Sequence, residues 1–328
     1  MRIGVIGAGA IGGTIAALLD RSGHEVEVVA RGAGLAAIRA DGLRLDGGWG
    51  EHTARIAAAE TLTRSPELVF LTTKAQDAEV ALADSAPRLA GVPLVVVQNG
   101  LEGLDAARRA LPDSPVYGAL ALYAAQNVEP GRVTITATGT TVVDRSREVA
   151  ALLASVMPAQ VTDNFRGAQW TKLVINMVNG TPAATGLPVQ QTVADARLRP
   201  IVTALMREAA RAGLTHGIRF DPIQGLTHSR VRFLAAAPLW AGQVIPRLMA
   251  RRMGSVPNLG STLQSILRGQ LTEIDYLNGA VVAAARAAGV SAPVNATITA
   301  AVHEVERTGR FLTPDELAAR ARQARLFP

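Results

Sequence analysis

The sequence predicts an α/β domain with a parallel sheet, followed by an all-α domain, and three observations lead to this fold class. The chain has 328 residues, more than one ordinary hydrophobic core accommodates. In the first half, short apolar strands alternate with helical patterns, as in parallel sheets with crossover helices. From about Gly167 the strand signals fade and helical periodicity dominates. We therefore place the two domains at residues 1–165 and 166–328.

The strands and helices of both domains can be assigned from their patterns. In the first domain, strands are predicted at residues 3–6, 25–29, 68–73, 93–97, 115–122 and 132–137, with a turn at 129–131. In the second domain, helices are predicted near residues 167–180, 196–213, 222–236, 238–253, 273–289 and 294–308. Gly213, Gly289 and Gly309 are expected to end helices, since glycine readily adopts the left-handed conformation found there.

Composition excludes several classes of function. The chain has no cysteine, which rules out thiolate nucleophiles, and its five histidines lack metal-ligand spacing, so we expect no metal site. The net charge of +6 is spread along the chain and aromatic residues make up 4%, which argues against nucleic-acid binding and suits an anionic small molecule. Glycines interrupt the apolar N-terminal stretch, so we expect no membrane span and a cytoplasmic protein.

A glycine-rich turn follows the first predicted strand. The segment Gly7-Ala8-Gly9-Ala10-Ile11-Gly12 has the G-x-G-x-x-G spacing and leads into an apolar helix and a second strand. In this context, the first glycine permits a tight turn, the second lets backbone approach a pyrophosphate, and the third lets the helix pack on the strand. The helix N-terminus offers unpaired N–H groups to phosphate. The sequence therefore predicts a Rossmann-type dinucleotide-binding domain.

Residues at the ends of three further strands predict how the dinucleotide is held. Arg31 follows the second strand, with no acidic residue before Asp41. An acidic residue there would bind the ribose hydroxyls of NAD, whereas arginine can bind a 2′-phosphate, so NADP is the predicted cofactor. Lys74 and Asn99 follow two later strands, at the sheet edge where such folds bind ligands. We expect Lys74 to face phosphate or ribose and Asn99 to face the nicotinamide.

Only two of the thirty-three basic residues are lysines, Lys74 and Lys172. Unlike arginine, lysine can lose its proton when burial lowers its pKa, which suits it to acid–base chemistry. Lys172, Asn176 and Asn179 are spaced so that they share one helical face between apolar residues. A partly buried lysine there could donate a hydrogen bond to a carbonyl oxygen and stabilise the developing alkoxide. The alternative is a lysine whose stem packs on apolar surface while its ammonium reaches water.

A second polar group is predicted near residue 270. Thr272 resembles an N-cap, and Glu273 would lie in the first turn of the following helix. Glu273 could pair with Lys172 or accept a proton from a substrate hydroxyl, although stabilisation by the helix dipole alone would also explain a glutamate there. Asn258 and Ser261 precede this segment and could bind a substrate carboxylate, or could serve as loop and cap residues.

Together these features resemble the ketopantoate reductase (2-dehydropantoate 2-reductase) family. The matching residues run in the family's order along nearly the whole chain: GAGAIG at 7–12, Arg31, Lys74, Gln98-Asn99-Gly100, Trp170-x-Lys172-Leu173-x-x-x-Asn176, Glu208, Asn258-x-x-Ser261 and Thr272-Glu273-Ile274-Asp275-x-x-Asn278-Gly279. The elements around Lys172 and Glu273 are more specific than the glycine motif.

The resemblance implies NADPH-dependent reduction of a 2-oxo acid, with ketopantoate reduced to pantoate for coenzyme A synthesis. It makes Lys172 the catalytic lysine and Glu273 its acidic partner. It also implies that Ser261 contacts the substrate carboxylate and that Asn99 and Asn176 lie on the substrate side, and it leaves a homodimer possible.

The chain departs from the family's pattern at three places. Gly180 stands where the family usually has a second asparagine, with Asn179 one residue earlier. In typical members the serine-rich segment ends in Leu-Gln-Asp, whereas here it reads Leu263-Gln264-Ser265, without the aspartate. The segment from about 234 to 257, which includes Trp240, is longer than in compact members. Two alternatives therefore stay open: a related NADPH-dependent reductase of another 2-oxo acid or carbonyl, and a non-catalytic NADP-binding sensor.

Overall fold

The computed structural model describes residues 1–254 and 257–324. The chain forms two compact units, Met1–Phe165 and Arg166–Pro328. Among the helices of the described residues, none is both long and apolar enough to cross a membrane.

The first unit is built on an eight-stranded sheet. Its strand order is β12-β11-β8-β7-β6-β1-β2-β5, and all neighbours are parallel except β8 and β11. The twelve strands of this unit are β1 (Arg2–Ile6), β2 (Glu25–Val29), β3 (Leu43–Gly47), β4 (His52–Ala54), β5 (Ala57–Ala59), β6 (Leu68–Leu71), β7 (Leu94–Val96), β8 (Val116–Ala121), β9 (Ala124–Glu129), β10 (Arg132–Ala137), β11 (Thr141–Asp144) and β12 (Ala159–Thr162).

Strand order reverses at β1, which lies between β2 and β6. Parallel sheets bind ligands at the carboxyl edge beside such a reversal, because the connections leave the sheet in opposite directions there. The central strands are buried on both faces, which explains their continuous runs of valine, isoleucine and leucine.

A second sheet of four strands, in the order β4-β3-β10-β9, lies beside the first helix. The helices of this unit are α1 (Ala10–Arg21), α2 (Gly32–Asp41), α3 (Ala78–Ser85), α4 (Gly103–Ala110) and α5 (Arg147–Ala154), with 3₁₀ turns at Ala75–Asp77 and Ala86–Arg88. Helix α1 is apolar nearly all round because it packs against strands of both sheets. A Cβ atom on Gly13 would lie 2.7 Å from Val133 of the second sheet, so this contact requires glycine.

The described part of the second unit is helical and is organised around a long buried helix, α9. The helices are α6 (Phe165–Asn176), α7 (Gly180–Thr185), α8 (Val189–Ala194), α9 (Arg199–Thr215), α10 (His228–Ala236), α11 (Leu239–Gly242), α12 (Val244–Arg252), α13 (Gly260–Leu267), α14 (Ala280–Ala287), α15 (Pro293–Thr308) and α16 (Pro314–Gln323). A 3₁₀ turn at Met177–Asn179 joins α6 to α7, and a π-helical turn at Asp275–Gly279 leads into α14. Helix α9 packs against α8, α10, α11, α14 and α15.

Several helix boundaries differ from those predicted. The helix expected at 222–236 begins only at His228, because Gln224 and Gly225 adopt left-handed backbone conformations that interrupt a helix. The prediction that Gly213 ends a helix was wrong, since α9 continues to Thr215. Gly213 is needed instead for close packing, because a Cβ atom there would lie 2.6 Å from the ring of Phe220.

Gly309 does end α15 in the left-handed conformation. The helices predicted at 167–180, 238–253 and 273–289 are each divided into two segments. Helices α7, α8 and α13 were not predicted.

Candidate active site

The glycine-rich turn joins β1 to α1 and leaves a gap in front of its backbone. Gly7 has a φ of +105°, and a Cβ atom on Gly12 would lie 1.9 Å from the carbonyl oxygen of Gly7, so both positions require glycine. A Cβ atom on Gly9 would meet nothing within 4 Å. No side chain caps the N-terminus of α1. The backbone N–H groups of this turn therefore suit a dinucleotide pyrophosphate.

Arg31 lies at the carboxyl end of β2, at the N-terminus of α2. Its side chain is exposed, and its guanidinium forms a 2.6 Å ion pair with Asp84. That bond is made by one guanidinium nitrogen, Nη2, so the other nitrogens of Arg31 retain donors for a further anion. No side chain caps α2, and its first turn is Gly32-Ala33-Gly34. Small residues and a nearby arginine at a helix N-terminus suit a phosphate group.

Two more connections at the carboxyl edge of the sheet carry polar residues. Lys74 follows β6 and Asn99 follows β7, and both are partly buried. The buried side chain of Gln98 donates a 2.9 Å hydrogen bond to the carbonyl oxygen of Thr73, which joins the two connections. The structure thus brings the glycine turn, Lys74 and Asn99 to one edge of the sheet, in agreement with the topology expected for a dinucleotide-binding domain.

Lys172 lies on α6, in the second unit, among buried apolar residues. Leu173, Val174 and Met177 are at most 1% exposed, whereas Lys172, Asn176 and Asn179 are all partly exposed. The three polar residues therefore lie on the less buried side of this segment, as their spacing predicted. Among the described residues, no hydrogen-bond partner is found for the Lys172 ammonium.

The Lys172 ammonium is electrostatically unusual. Burial lowers the pKa of Lys172 from its usual 10.5 to about 8, and the negative charge of Glu273 opposes this fall. Glu273 is partly buried and comes just before the π-helical turn, after Thr272, whose hydroxyl accepts a 3.2 Å hydrogen bond from the Ile274 amide. A lysine with this pKa is mostly protonated at pH 7 and can still release its proton readily, as a general acid must.

The structure also shows where Asn179, Asn258 and Ser261 lie in the second unit. Asn179 lies against the first residue of α13, because a Cβ atom on Gly260 would be 2.6 Å from the Asn179 side-chain oxygen. The Asn258 side-chain oxygen accepts a 2.9 Å hydrogen bond from the Gly260 amide, so Asn258 has a structural role in this turn. The exposed Ser261 follows in the first turn of α13.

Gly180 is tightly enclosed. A Cβ atom there would lie 2.6 Å from the Ile298 side chain and 3.2 Å from the Asn278 side-chain oxygen. No larger side chain fits at this position unless Ile298 moves. In the segment that joins α6 to α7, it is therefore the Asn179 side chain, and not one at position 180, that contacts α13.

Glu208 supports α15. Its carboxylate accepts hydrogen bonds from the Val294 and Asn295 amides and from the Asn295 side chain, at 3.0, 2.9 and 2.7 Å. Burial raises the pKa of Glu208, and these hydrogen bonds oppose the rise. Asn295 in turn accepts a 2.9 Å hydrogen bond from the Asn278 side chain. This buried network joins α9, α15 and the π-helical turn. From the sequence, Glu208 and Asn278 were recognised only as members of the family pattern, and Asn295 was not predicted.

Comparison with known proteins identifies the family. Residues 3–148 match the family model Ketopantoate reductase PanE/ApbA, and residues 164–306 match the model Ketopantoate reductase PanE/ApbA C terminal. The chain belongs to the ketopantoate reductase family. This confirms the predicted resemblance and fold class. The protein is accordingly an oxidoreductase that acts on a CH–OH group, in a family that uses NADPH.

Individual ketopantoate reductases are similar to this chain over most of their length. A 2-dehydropantoate 2-reductase of Mesorhizobium japonicum is 32% identical, over 86% of this chain and 90% of the relative. The crystal structure of a Ralstonia eutropha PanE/ApbA family ketopantoate reductase is 28% identical, with a TM-score of 0.81 over 94% of this chain and 99% of the other. D-mandelate dehydrogenase, solved with NADH and anilino(oxo)acetate, shares the fold at 21% identity and a TM-score of 0.79, over 94% and 99% of the two chains.

Proposed function

We propose that this protein reduces a 2-oxo acid with NADPH, and that ketopantoate is the substrate. The observation that carries the proposal is Lys172, a partly buried ammonium whose pKa burial lowers to about 8, on a helix that also presents Asn176. Bound NADPH supplies the hydride that adds to the keto carbon. The residues of the chain then have to stabilise the negative charge that develops on the keto oxygen.

Lys172 is suited to that task. As the keto oxygen gains charge, the Lys172 ammonium donates a hydrogen bond to it and then transfers its proton, which leaves a hydroxyl group and a neutral amine that solvent reprotonates. Stabilisation of a developing oxyanion by one fixed donor contributes on the order of 3–4 kcal/mol to the lowering of a barrier. Glu273 favours the ammonium form, because its charge raises the pKa of Lys172 against the effect of burial.

The remaining residues have binding roles in this proposal. The glycine turn binds the pyrophosphate, and Arg31 binds the 2′-phosphate. Lys74 and Asn99 bind the cofactor from the neighbouring connections, and Asn99 also faces the substrate. Asn176 and Ser261 bind the substrate, with Ser261 donating to the carboxylate at the N-terminus of α13, where the helix dipole favours negative charge. Asn258, which the sequence suggested as a further substrate ligand, instead holds the turn that precedes Ser261.

A second candidate is a related reductase for a different 2-oxo acid or carbonyl compound. The observation in its favour is Gly180. The side chains of Ile298 and Asn278 leave no room at this position for the asparagine that family members usually have there. The carboxamide of Asn179 lies against Gly260 instead. A changed set of polar groups would suit a substrate whose substituents differ from those of ketopantoate.

A panel of substrates decides between the candidates. The oxidation of NADPH is followed by absorbance with ketopantoate, 2-oxo acids with aliphatic or aromatic substituents, and neutral ketones. The highest kcat/KM with ketopantoate supports the main proposal, and a higher value with another compound supports the second candidate. NADPH binding without turnover of any compound would instead indicate a sensor.

A further inference from the structure

The segment that carries Glu273 is held at both of its ends by side chains of α15. On one side of Glu273, the Thr272 amide donates a 2.8 Å hydrogen bond to the Glu306 carboxylate. On the other side, the Asp275 carboxylate lies 2.9 Å from Nε2 of His303. The second ring nitrogen of His303, Nδ1, lies 2.8 Å from Glu306. His303 and Glu306 share one face of α15 because they are three residues apart.

We propose that His303 and Glu306 are positioning residues that fix Glu273 relative to Lys172, and that the protonated form of His303 is the one that does so. This inference rests on the proposed function, because it assigns these residues a role in the same reaction. Neither residue is among the proposed contacts of the substrate or the cofactor. Their effect is exerted through Thr272 and Asp275, which flank the Glu273-Ile274 pair.

The protonation state matters because both nitrogens of His303 face carboxylates. An imidazolium has two N–H donors and can bond to Asp275 and Glu306 together, whereas a neutral imidazole has only one. Burial lowers the pKa of His303, but the hydrogen bonds to Glu306 and Asp275 outweigh burial and the net shift is upward. The double contact is therefore present below the pKa of His303 in the folded protein and is lost as the pH rises through it.

Other charged groups near His303 are already paired or lie on the helix surface. Glu304, the next residue of α15, bonds to Arg320 of α16 at 2.6 and 3.1 Å, and Arg307 is exposed. Asp275 and Glu306 are the charged groups that raise the pKa of His303. The Glu306 side chain is only 13% exposed, so its contact with His303 is the less screened of the two.

The first test is the ratio of kcat between the wild type and His303→Gln, measured from pH 6 to pH 9. We expect a ratio of about two to five at pH 6, the effect of one lost hydrogen bond between half-exposed charged groups, falling towards one at pH 9. At pH 9, where His303 is neutral and the double contact is absent in both proteins, Glu273 and therefore the Lys172 pKa are expected to be alike in the two proteins. A purely structural role would give a ratio that does not change with pH, and that result would overturn the proposal. Glu304→Gln, which removes the ion pair to Arg320, is the matched control, with a ratio near one throughout.

The second test does not depend on turnover. The pKa of His303 is measured by NMR in the wild type and in Glu306→Gln, with His303→Gln identifying the signal among the five histidines. A wild-type pKa above 6.5 that falls in Glu306→Gln, together with faster exchange of the Thr272 amide in His303→Gln at pH 6, supports the proposal. A wild-type pKa at or below 6.5, or unchanged exchange, overturns it. If the wild type reduces none of the 2-oxo acids, the proposed function fails, and the NMR titration still decides whether this contact forms.

Discussion

The alkaline limb of the pH–rate profile is expected to report the ionisation of Lys172. With a pKa of about 8, Lys172 is about nine-tenths protonated at pH 7 and about one-tenth protonated at pH 9. Because only the ammonium form can donate to the keto oxygen, kcat/KM should fall about ninefold to tenfold between these pH values. A lysine with the ordinary pKa of 10.5 would lose only a few per cent over the same interval.

The variant Glu273→Gln sharpens this prediction. Removing the Glu273 charge removes the effect that raises the pKa of Lys172, so the alkaline limb should move to lower pH. The assay is steady-state NADPH oxidation at constant ionic strength. Asp315→Asn, which removes an exposed negative charge on α16, is the control and should leave the limb in place. A wild-type rate that stays constant up to pH 9.5, or a limb that Glu273→Gln does not move, would refute the reasoning.

Two further predictions concern the cofactor. Arg31→Ala should weaken the binding of NADPH far more than that of NADH, by at least about tenfold, because it removes a charge-assisted contact to the 2′-phosphate. Titration of protein fluorescence measures both affinities, Arg39→Ala on the same helix is the control, and equal losses for the two cofactors would exclude this role. Gly12→Ala should abolish the binding of both cofactors, since its Cβ atom would lie 1.9 Å from the Gly7 carbonyl oxygen and the turn would have to open. Retention of tight NADPH binding by a folded Gly12→Ala protein would contradict the geometry described for this turn.

The sequence predicted those parts of the fold that are determined by residues close together along the chain. The glycine turn could be read directly, because its three glycines, the preceding strand and the following helix lie within one short segment. The strand at residues 25–29 was predicted with its observed bounds for the same reason. Short elements were missed. Strand β5 is only Ala57–Ala59, a sequence that favours a helix, and it forms a strand because it pairs with β2.

Contacts between distant residues could not be predicted from one sequence. The ion pair of Arg31 with Asp84 joins residues 53 positions apart, and the contact of His303 with Asp275 joins residues 28 apart. The π-helical turn after Glu273 has no sequence signal of its own. The shared face of Lys172 and Asn176, by contrast, follows from helical spacing, and the polar residues on it are only partly buried.

The measurement that tests the account most directly is the rate of hydride transfer in Lys172→Met. This substitution keeps an unbranched side chain of similar length and removes the ammonium, and Arg166→Met on the same helix is the matched control. In a single turnover with saturating NADPH and 2-oxo acid, we predict that the rate of NADPH oxidation in Lys172→Met falls at least about a hundredfold, with NADPH affinity unchanged. A rate equal to that of the wild type would contradict the central claim that Lys172 stabilises the charge on the substrate oxygen.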